Sequence, residues 1–499
     1  MQEPENVVVI GAGLGGLAAA ALLASKGFDV SVYEKNAAAG GKMQEVRTGE
    51  FRFDTGPSLF TMPFVLESLF DACGETMQDY MSWSELNPIC RYFYSDGVIF
   101  DNFSDRELTK EQITRFAPDD ADSYDSFLNR SAELYNKTAE AFLFNPLYSF
   151  SDLKNLKLTD FLGIDAFSTV SDKVDEHFSS DHLRNFFKRF TTYNGSSPYM
   201  APATLNVIPH VELNQGGYYV HGGIYRIAEA FQSLAQKKGV KFHFNKKVKS
   251  IGCDINKAQN IILDDGTEIH CDLLIANSDA TDTILNLLPK GVVSDRKKKR
   301  QASIEPSCSG FVMLLGCSRN WEQLRHHNIF FSSDYRREFQ DIFESKKMPE
   351  DPTIYVANTS FTNPEHAPPD GSNLFILVNA PYVSAGQDWE TAEKEYPQFL
   401  IDELEKRGLQ GLGKSIEYSE TITPADFLDR YGSNRGSIYG TSSNSKFAAF
   451  LRPRNKLRGL KNLYLVGGST HPGGGIPLVV QSAFNAVELL EREGSPQRR

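Results

Sequence analysis

Val7 to Ile10 is an unbroken β-branched and apolar run that stops at Gly11-Ala-Gly-Leu-Gly-Gly16, and Leu14 to Lys26 then carries alanine and leucine at helical spacing until Gly27. This pattern predicts a strand, a tight turn and a buried helix. Phe28 to Tyr33 alternates apolar and polar residues and ends at Glu34, which predicts a second strand. Ile227, Ala228, Phe231 and Leu234 mark one face of a later helix; Val240–Phe244 and Val248–Ile251 read as strands, and Asp265-Gly266 as a hairpin turn. Leu273 to Asn277 and Phe311 to Cys317 are short apolar runs of the kind that form buried strands. Near the end, Asn462 to Val466 predicts a strand, followed by a glycine-rich turn and a helix from about Leu478 to Leu490.

The first three elements carry a specific chemistry. Gly11 permits the turn, Gly13 lets the backbone approach a pyrophosphate, and Gly16 lets helix and strand pack closely. Glu34, 23 residues beyond Gly11, ends the second strand where it can accept the hydroxyls of a ribose. The amides of the first helical turn supply partial positive charge to the phosphates. The unit predicts a Rossmann-like dinucleotide-binding fold.

Composition narrows the classes. A chain of 499 residues suggests two to four domains, and its net charge of −12 argues against a nucleic-acid partner. The six cysteines form no Cys-x-x-Cys pair and no zinc spacing, so no metal is expected and a reducing cytoplasm fits. The N-terminus shows no signal peptide, and no apolar stretch is long enough to span a membrane. Phenylalanine, at 35 residues, is in excess. Phe142, Phe144, Phe150, Phe161, Phe167, Phe178, Phe186, Phe187 and Phe190 crowd one segment, which suits a long apolar ligand, a membrane-facing patch or an aromatic helical core.

Gly40-Gly41-Lys42 and Asp54-Thr-Gly56-Pro57-Ser58 resemble motifs of the flavoprotein superfamily of amine oxidases and carotenoid desaturases. The resemblance implies FAD, with Gly41 and Lys42 near the pyrophosphate, Gly56, Pro57 and Ser58 in the cofactor site, and the backbone of Val248 against the adenine. The segment Gly467-Gly468-Ser-Thr-His471-Pro-Gly473-Gly474-Gly475-Ile476-Pro477 is similar, nearly residue for residue, to the signature of the bacterial phytoene desaturase family. There Gly468, Gly475, Ile476 and Pro477 would hold the flavin ring. His326-His327-Asn328, Ala367-Pro368, Thr423-Pro424-Ala-Asp426-Phe427 and Arg452-Pro453-Arg454-Asn455 extend the resemblance over nearly the whole chain. Ser433 to Gly440 and the triplet Gly473–Gly475 look closer to the hydroxycarotenoid 3,4-desaturase and diapocarotenoid oxygenase branches.

The expected organisation is an α/β FAD-binding domain from residues 1–70, 215–290 and 435–499, with an inserted α+β substrate domain from 71–214 and 291–434 that includes a helical, Phe-rich membrane-facing part. The expected reaction is desaturation of an acyclic carotenoid end group, with quinone or oxygen as electron acceptor and attachment to the membrane surface. An oxygenase forming a terminal aldehyde, a phytoene or dehydrosqualene desaturase, and a non-redox isoprenoid carrier are the alternatives. No oligomeric state is read from the chain.

His471 is a candidate base or partner for reduced flavin, or a turn histidine bonded to backbone. Arg435 is a candidate anchor for an oxygen-bearing end group, or a loop residue. His326 and His327, as neighbours on a strand, should point to opposite faces and share no metal. The run Arg296 to Arg300 is a solvated loop or an anionic-lipid contact.

Overall fold

The strand Asn6–Ile10 has parallel neighbours on both sides, Leu273–Ala276 and Asp29–Tyr33. The full order across this five-stranded parallel sheet is Leu463–Leu465, Leu273–Ala276, Asn6–Ile10, Asp29–Tyr33, Lys241–His243. The structure is a computed structural model and describes residues 5–139, 143–144, 165, 167–445 and 452–494. Val7, Val8 and Val9 are wholly buried, as a strand covered on both faces requires. Helix Leu14–Ser25 is Ala-rich and almost entirely buried, because Arg226–Lys237 and Ile476–Glu493 pack against it. Ile476–Glu493 begins two residues earlier than its periodicity predicts, since Pro477 is tolerated in a first helical turn.

A seven-stranded sheet forms the second half, in the order Ile416–Ile422, Ser309–Cys317, Ser372–Ala380, Ile354–Asn358, His327–Phe330, Cys90–Phe93, Ile99–Asn102. Ser309–Cys317 is buried at all nine positions between its two antiparallel neighbours. A smaller antiparallel sheet, Val248–Asp254, Lys257–Leu263 and Glu268–His270, contains the hairpin at Asp265-Gly266.

The Phe-rich segment divides. Phe178, Phe186, Phe187 and Phe190 are buried against one another and against Phe127, Tyr92 and Phe100, so they build an aromatic core rather than a membrane-facing surface. Phe144 is half-buried and Phe167 is exposed, while Phe142, Phe150 and Phe161 lie outside the described residues. Arg296 to Arg300 is helical, within Asp295–Ala302, and no residue of that helix is buried. The preceding Ile284, Leu287 and Leu288 belong to the core beneath the small sheet.

Candidate active site

One cavity of about 1400 Å³ runs between the two halves. It exceeds the ~300–1000 Å³ usual for a single small ligand, so cofactor and substrate can share it. The N-termini of two long helices open onto it, through Gly13-Leu14 and Gly475-Ile476. Both are seats for negative charge.

At the first seat, Gly11 has φ +92°, and a Cβ on Gly16 would stand 2.2 Å from the Gly11 carbonyl oxygen, so this helix can approach its strand only with glycine there. Glu34 is buried and orients itself: Oε2 accepts from the Ala12 amide at 2.7 Å and Oε1 from the Asn36 amide at 2.9 Å. A carboxylate accepts about four hydrogen bonds, so two remain for ribose hydroxyls. Gly41 faces Gly13, with its Cβ position 3.1 Å from the Gly13 Cα, and both line the cavity. Asn277, which the sequence reading treats only as the end of a strand, is wedged among three glycines. Its amide lies 2.6–2.8 Å from the Cβ positions of Gly13, Gly15 and Gly467.

Gly56, Pro57, Ser58, Val248, Gly468, Gly475, Ile476 and Pro477 also line the cavity; Gly16 does not, in keeping with a packing role. Lys42 lines it too, but its ammonium donates to the carbonyls of Ser437 and Ile438, at 3.0 and 2.7 Å. It ties the Gly40-Gly41 turn to the 437–438 segment, where the resemblance implied a contact with pyrophosphate. Burial lowers its pKa to about 8, with Asp279 opposing.

His471 is buried and faces the cavity. Its amide donates to the Pro453 carbonyl at 2.9 Å, and its carbonyl accepts from Asn455 Nδ2 at 2.9 Å. Arg435 is exposed and outside the cavity, with its guanidinium over the Tyr382 ring at 5.7 Å. Its φ of +51° sits in a tight turn, and the expected anchoring role does not fit this position.

The two adjacent histidines also differ from expectation. Their rings meet edge to face at 4.4 Å, because the strand begins at His327 and His326 lies outside its pleat. Burial lowers both pKa values, His326 to about 3 and His327 well below its ordinary value, so both rings are neutral. His327 faces the cavity and shares a 2.7 Å hydrogen bond with the Tyr355 hydroxyl, which donates to Ser58 Oγ at 2.7 Å. Among the described residues no group of three His, Cys, Asp or Glu could hold a metal.

Sequence reasoning missed a further cluster. Arg189 Nη2 donates to Glu212 Oε1 at 2.6 Å, and Tyr193 donates to Glu212 Oε2. All three line the cavity, and the Arg189 guanidinium lies 4.1 Å from the Phe190 ring centroid. Burial disfavours the Arg189 cation, yet Glu212 outweighs it and holds its pKa well above the usual value.

The sequence model for flavin-containing amine oxidoreductases matches residues 14–490. The chain belongs to that family. Within the flavin-containing amine oxidoreductases it is 36% identical to the 4,4'-diaponeurosporene oxygenase of Staphylococcus haemolyticus, over 97% of each chain. It is also 36% identical to the 1-hydroxycarotenoid 3,4-desaturase of a Flavobacterium species, over 97% of this chain and 99% of that one. An oxidoreductase structure from Methanosarcina mazei superposes with a TM-score of 0.63 at 18% identity, covering 97% of this chain and all of the other.

The chain is therefore an FAD-dependent oxidoreductase. The Gly13–Gly41 cradle, the acceptor sites left on Glu34 and the two helix N-termini fit that cofactor. When bound, the flavin accepts a hydride from a substrate C–H bond.

Proposed function

We propose that this flavin-containing amine oxidoreductase desaturates a carotenoid, introducing a C=C bond into an acyclic end group that already bears oxygen, the 3,4 bond of a 1-hydroxycarotenoid. The observation that carries the reading is the cavity, which joins the flavin cradle to a wall of Ile89, Leu205, Ile208 and Ile329 interrupted by Arg189, Glu212 and Tyr193. A polyene matches the apolar wall and a terminal hydroxyl matches the polar cluster. The 36% identity to a 1-hydroxycarotenoid 3,4-desaturase supports the same substrate class.

With the flavin supplying the hydride acceptor, the chain would supply a base for the proton on the neighbouring carbon. His471 is the proposed base, since it lines the cavity within the turn that precedes the second helix. Arg189 and Glu212, which line the cavity, orient the oxygen-bearing end group in place of Arg435, which does not. Quinone or oxygen would reoxidise the cofactor. Residues 1–70, 215–290 and 435–499 would form the cofactor half, and 71–214 with 291–434 the substrate half.

No described helix is long and apolar enough to cross a membrane. The proposed site of action is the cytoplasmic membrane surface, reached through the exposed basic helix Asp295–Ala302.

The equal identity to a diaponeurosporene oxygenase favours one second reading, oxidation of a terminal methyl to an aldehyde. Expression in bacteria that accumulate defined carotenoids separates the two by product mass. Loss of two hydrogens from a hydroxylated substrate supports desaturation, gain of oxygen supports the oxygenase, and an unchanged pool of every carotenoid rejects both.

A further inference from the structure

Three arginines among the described residues are buried, and they are not equivalent. Arg52 pairs with Asp54 and Arg189 with Glu212, each at 2.6 Å. Arg452, only 6% exposed, has no carboxylate within 4.0 Å among the described residues. Its Nη2 donates to neutral oxygens alone: Asn194 Oδ1 at 2.7 Å, the Thr441 carbonyl at 3.4 Å and Ser443 Oγ at 3.5 Å. Nη1 has no acceptor at all among the described residues. Burial pulls the guanidinium down to about 10, and no nearby anion opposes it. An uncompensated cation in a low-dielectric interior is costly, and an orphan N–H adds to the cost.

The direction of Nη1 is fixed by Gly473. A Cβ on that glycine would stand 2.3 Å from Nη1, so the guanidinium rests directly on the turn that leads into helix Ile476–Glu493. The positive end of that helix opens onto the same cavity that Arg452 lines. The guanidinium and the positive end of that helix therefore open onto one cavity, and among the described residues no carboxylate pairs with the guanidinium.

A bound dinucleotide offers negative charge at its pyrophosphate and, once reduced, at its flavin ring. The pyrophosphate seat lies at the other helix, by Gly11, Gly13 and Glu34. Arg452 is held instead by Asn194 and Ser443, which line the cavity together with Thr192 and Tyr193, where Tyr193 belongs to the polar cluster of the proposed substrate wall. We infer that Arg452 is the standing counter-charge for the flavin ring, matched to its reduced rather than its oxidised state. Hydride transfer brings two electrons and one proton to the cofactor, adding one unit of negative charge, while the second hydrogen leaves the substrate as a proton for the base. Arg452 meets that charge without reorganising, which lowers the barrier to hydride acceptance.

The inference needs FAD but no particular substrate, so it can fail while the carotenoid reading stands, and the reverse. Its test is the reduction equilibrium of the purified holoenzyme, followed by flavin absorbance against reference dyes without carotenoid. Arg452→Gln should lower the reduced-to-oxidised ratio at a given poise by about tenfold or more, equivalent to ~30 mV for a two-electron couple. Arg452→Lys should recover most of that loss, and the content of oxidised FAD should match the parent. A second measurement needs no variant. In the parent holoenzyme the potential should change by ~30 mV per pH unit around neutrality, one proton per two electrons. A slope near ~60 mV means that the reduced ring takes a second proton, and it overturns the assignment. So does an Arg452→Gln potential equal to the parent's, or an equal loss of affinity for oxidised and reduced FAD, which would move the contact to the pyrophosphate.

Discussion

The guanidinium of Arg52 occupies the space that a side chain on Gly223 would need, its Cζ standing 2.0 Å from the position of that Cβ. From there Arg52 reaches Asp54 at 2.6 Å, and Asp54 also accepts from the Tyr219 hydroxyl and the amides of Ile224 and Tyr225. One buried carboxylate thus joins the cavity-lining segment Thr55–Ser58, which follows it, to the start of helix Arg226–Lys237. Gly223→Ala should expel the guanidinium and leave Asp54 unpaired. We expect a loss of about 3–5 kcal/mol, read as a lower urea midpoint at unchanged m-value.

Glu34→Ala removes the acceptor of two backbone amides and the acceptor proposed for the ribose, and Gly13→Val drives a branched side chain toward Asn277 Nδ2, 2.7 Å from the Cβ position. Both variants should lower flavin affinity by about tenfold or more. The absorbance ratio of flavin to protein after gel filtration checks this. Full flavin content in Gly13→Val would contradict the cradle.

Glu338 gives a pH dependence. It accepts from Ser332 Oγ and from the amide and hydroxyl of Thr353, while Oε1 has no partner among the described residues. Burial holds its carboxyl up at about 7, from an ordinary 4.5. Between those values the folded chain keeps a proton that the unfolded chain has released, so stability falls as pH rises through the window and levels off above it. The span corresponds to at most about 3 kcal/mol. Glu338→Gln should flatten this part of the profile in denaturant titrations from pH 4.5 to 8.

Truncating one member of the pair Arg189–Glu212 strands its partner, so Arg189→Met should cost about 3–5 kcal/mol of stability. Replacing both by apolar residues, Arg189→Met with Glu212→Leu, should restore most of it. The double variant should then lose affinity for hydroxylated carotenoids about tenfold or more while leaving hydrocarbon carotenoids nearly unaffected. Equal effects on both substrates would separate the cluster from end-group recognition.

In the helix Asp295–Ala302 none of the basic residues Arg296 to Arg300 is buried, and all but Lys298 are exposed. Each basic residue near an anionic bilayer contributes about 1 kcal/mol, so neutralising the run should weaken binding to phosphatidylserine vesicles in a salt-sensitive manner. Sedimentation with neutral and anionic vesicles measures it.

What the sequence made legible was whatever the backbone must do locally. A glycine that faces a carbonyl 2.2 Å from its Cβ position, or a glutamate that ends a strand beside it, leaves its mark within a few neighbouring residues, and so Gly16 and Glu34 could be read directly. Arg189 and Glu212 stand 23 residues apart within an aromatic-rich segment, and Tyr355 meets Ser58 across 297 residues. Such contacts exist only once distant segments have packed. Of the two roles open to Arg435, anchor or loop residue, its motif could not choose, and the structure places it exposed in a tight turn outside the cavity with φ +51°. Strand alternation failed at His326 for a local reason: the pleat begins one residue later.

Strand Leu463–Leu465 closes the parallel sheet beside Leu273–Ala276, which precedes it by roughly 190 residues. During synthesis the sheet therefore emerges from the ribosome with that flank open, and both the glycine-rich turn and its helix are still unmade. FAD cannot be fully seated on the growing chain. Seating of the cofactor therefore waits for Leu463–Leu465 to cover the flank of Leu273–Ala276 and for helix Ile476–Glu493 to form.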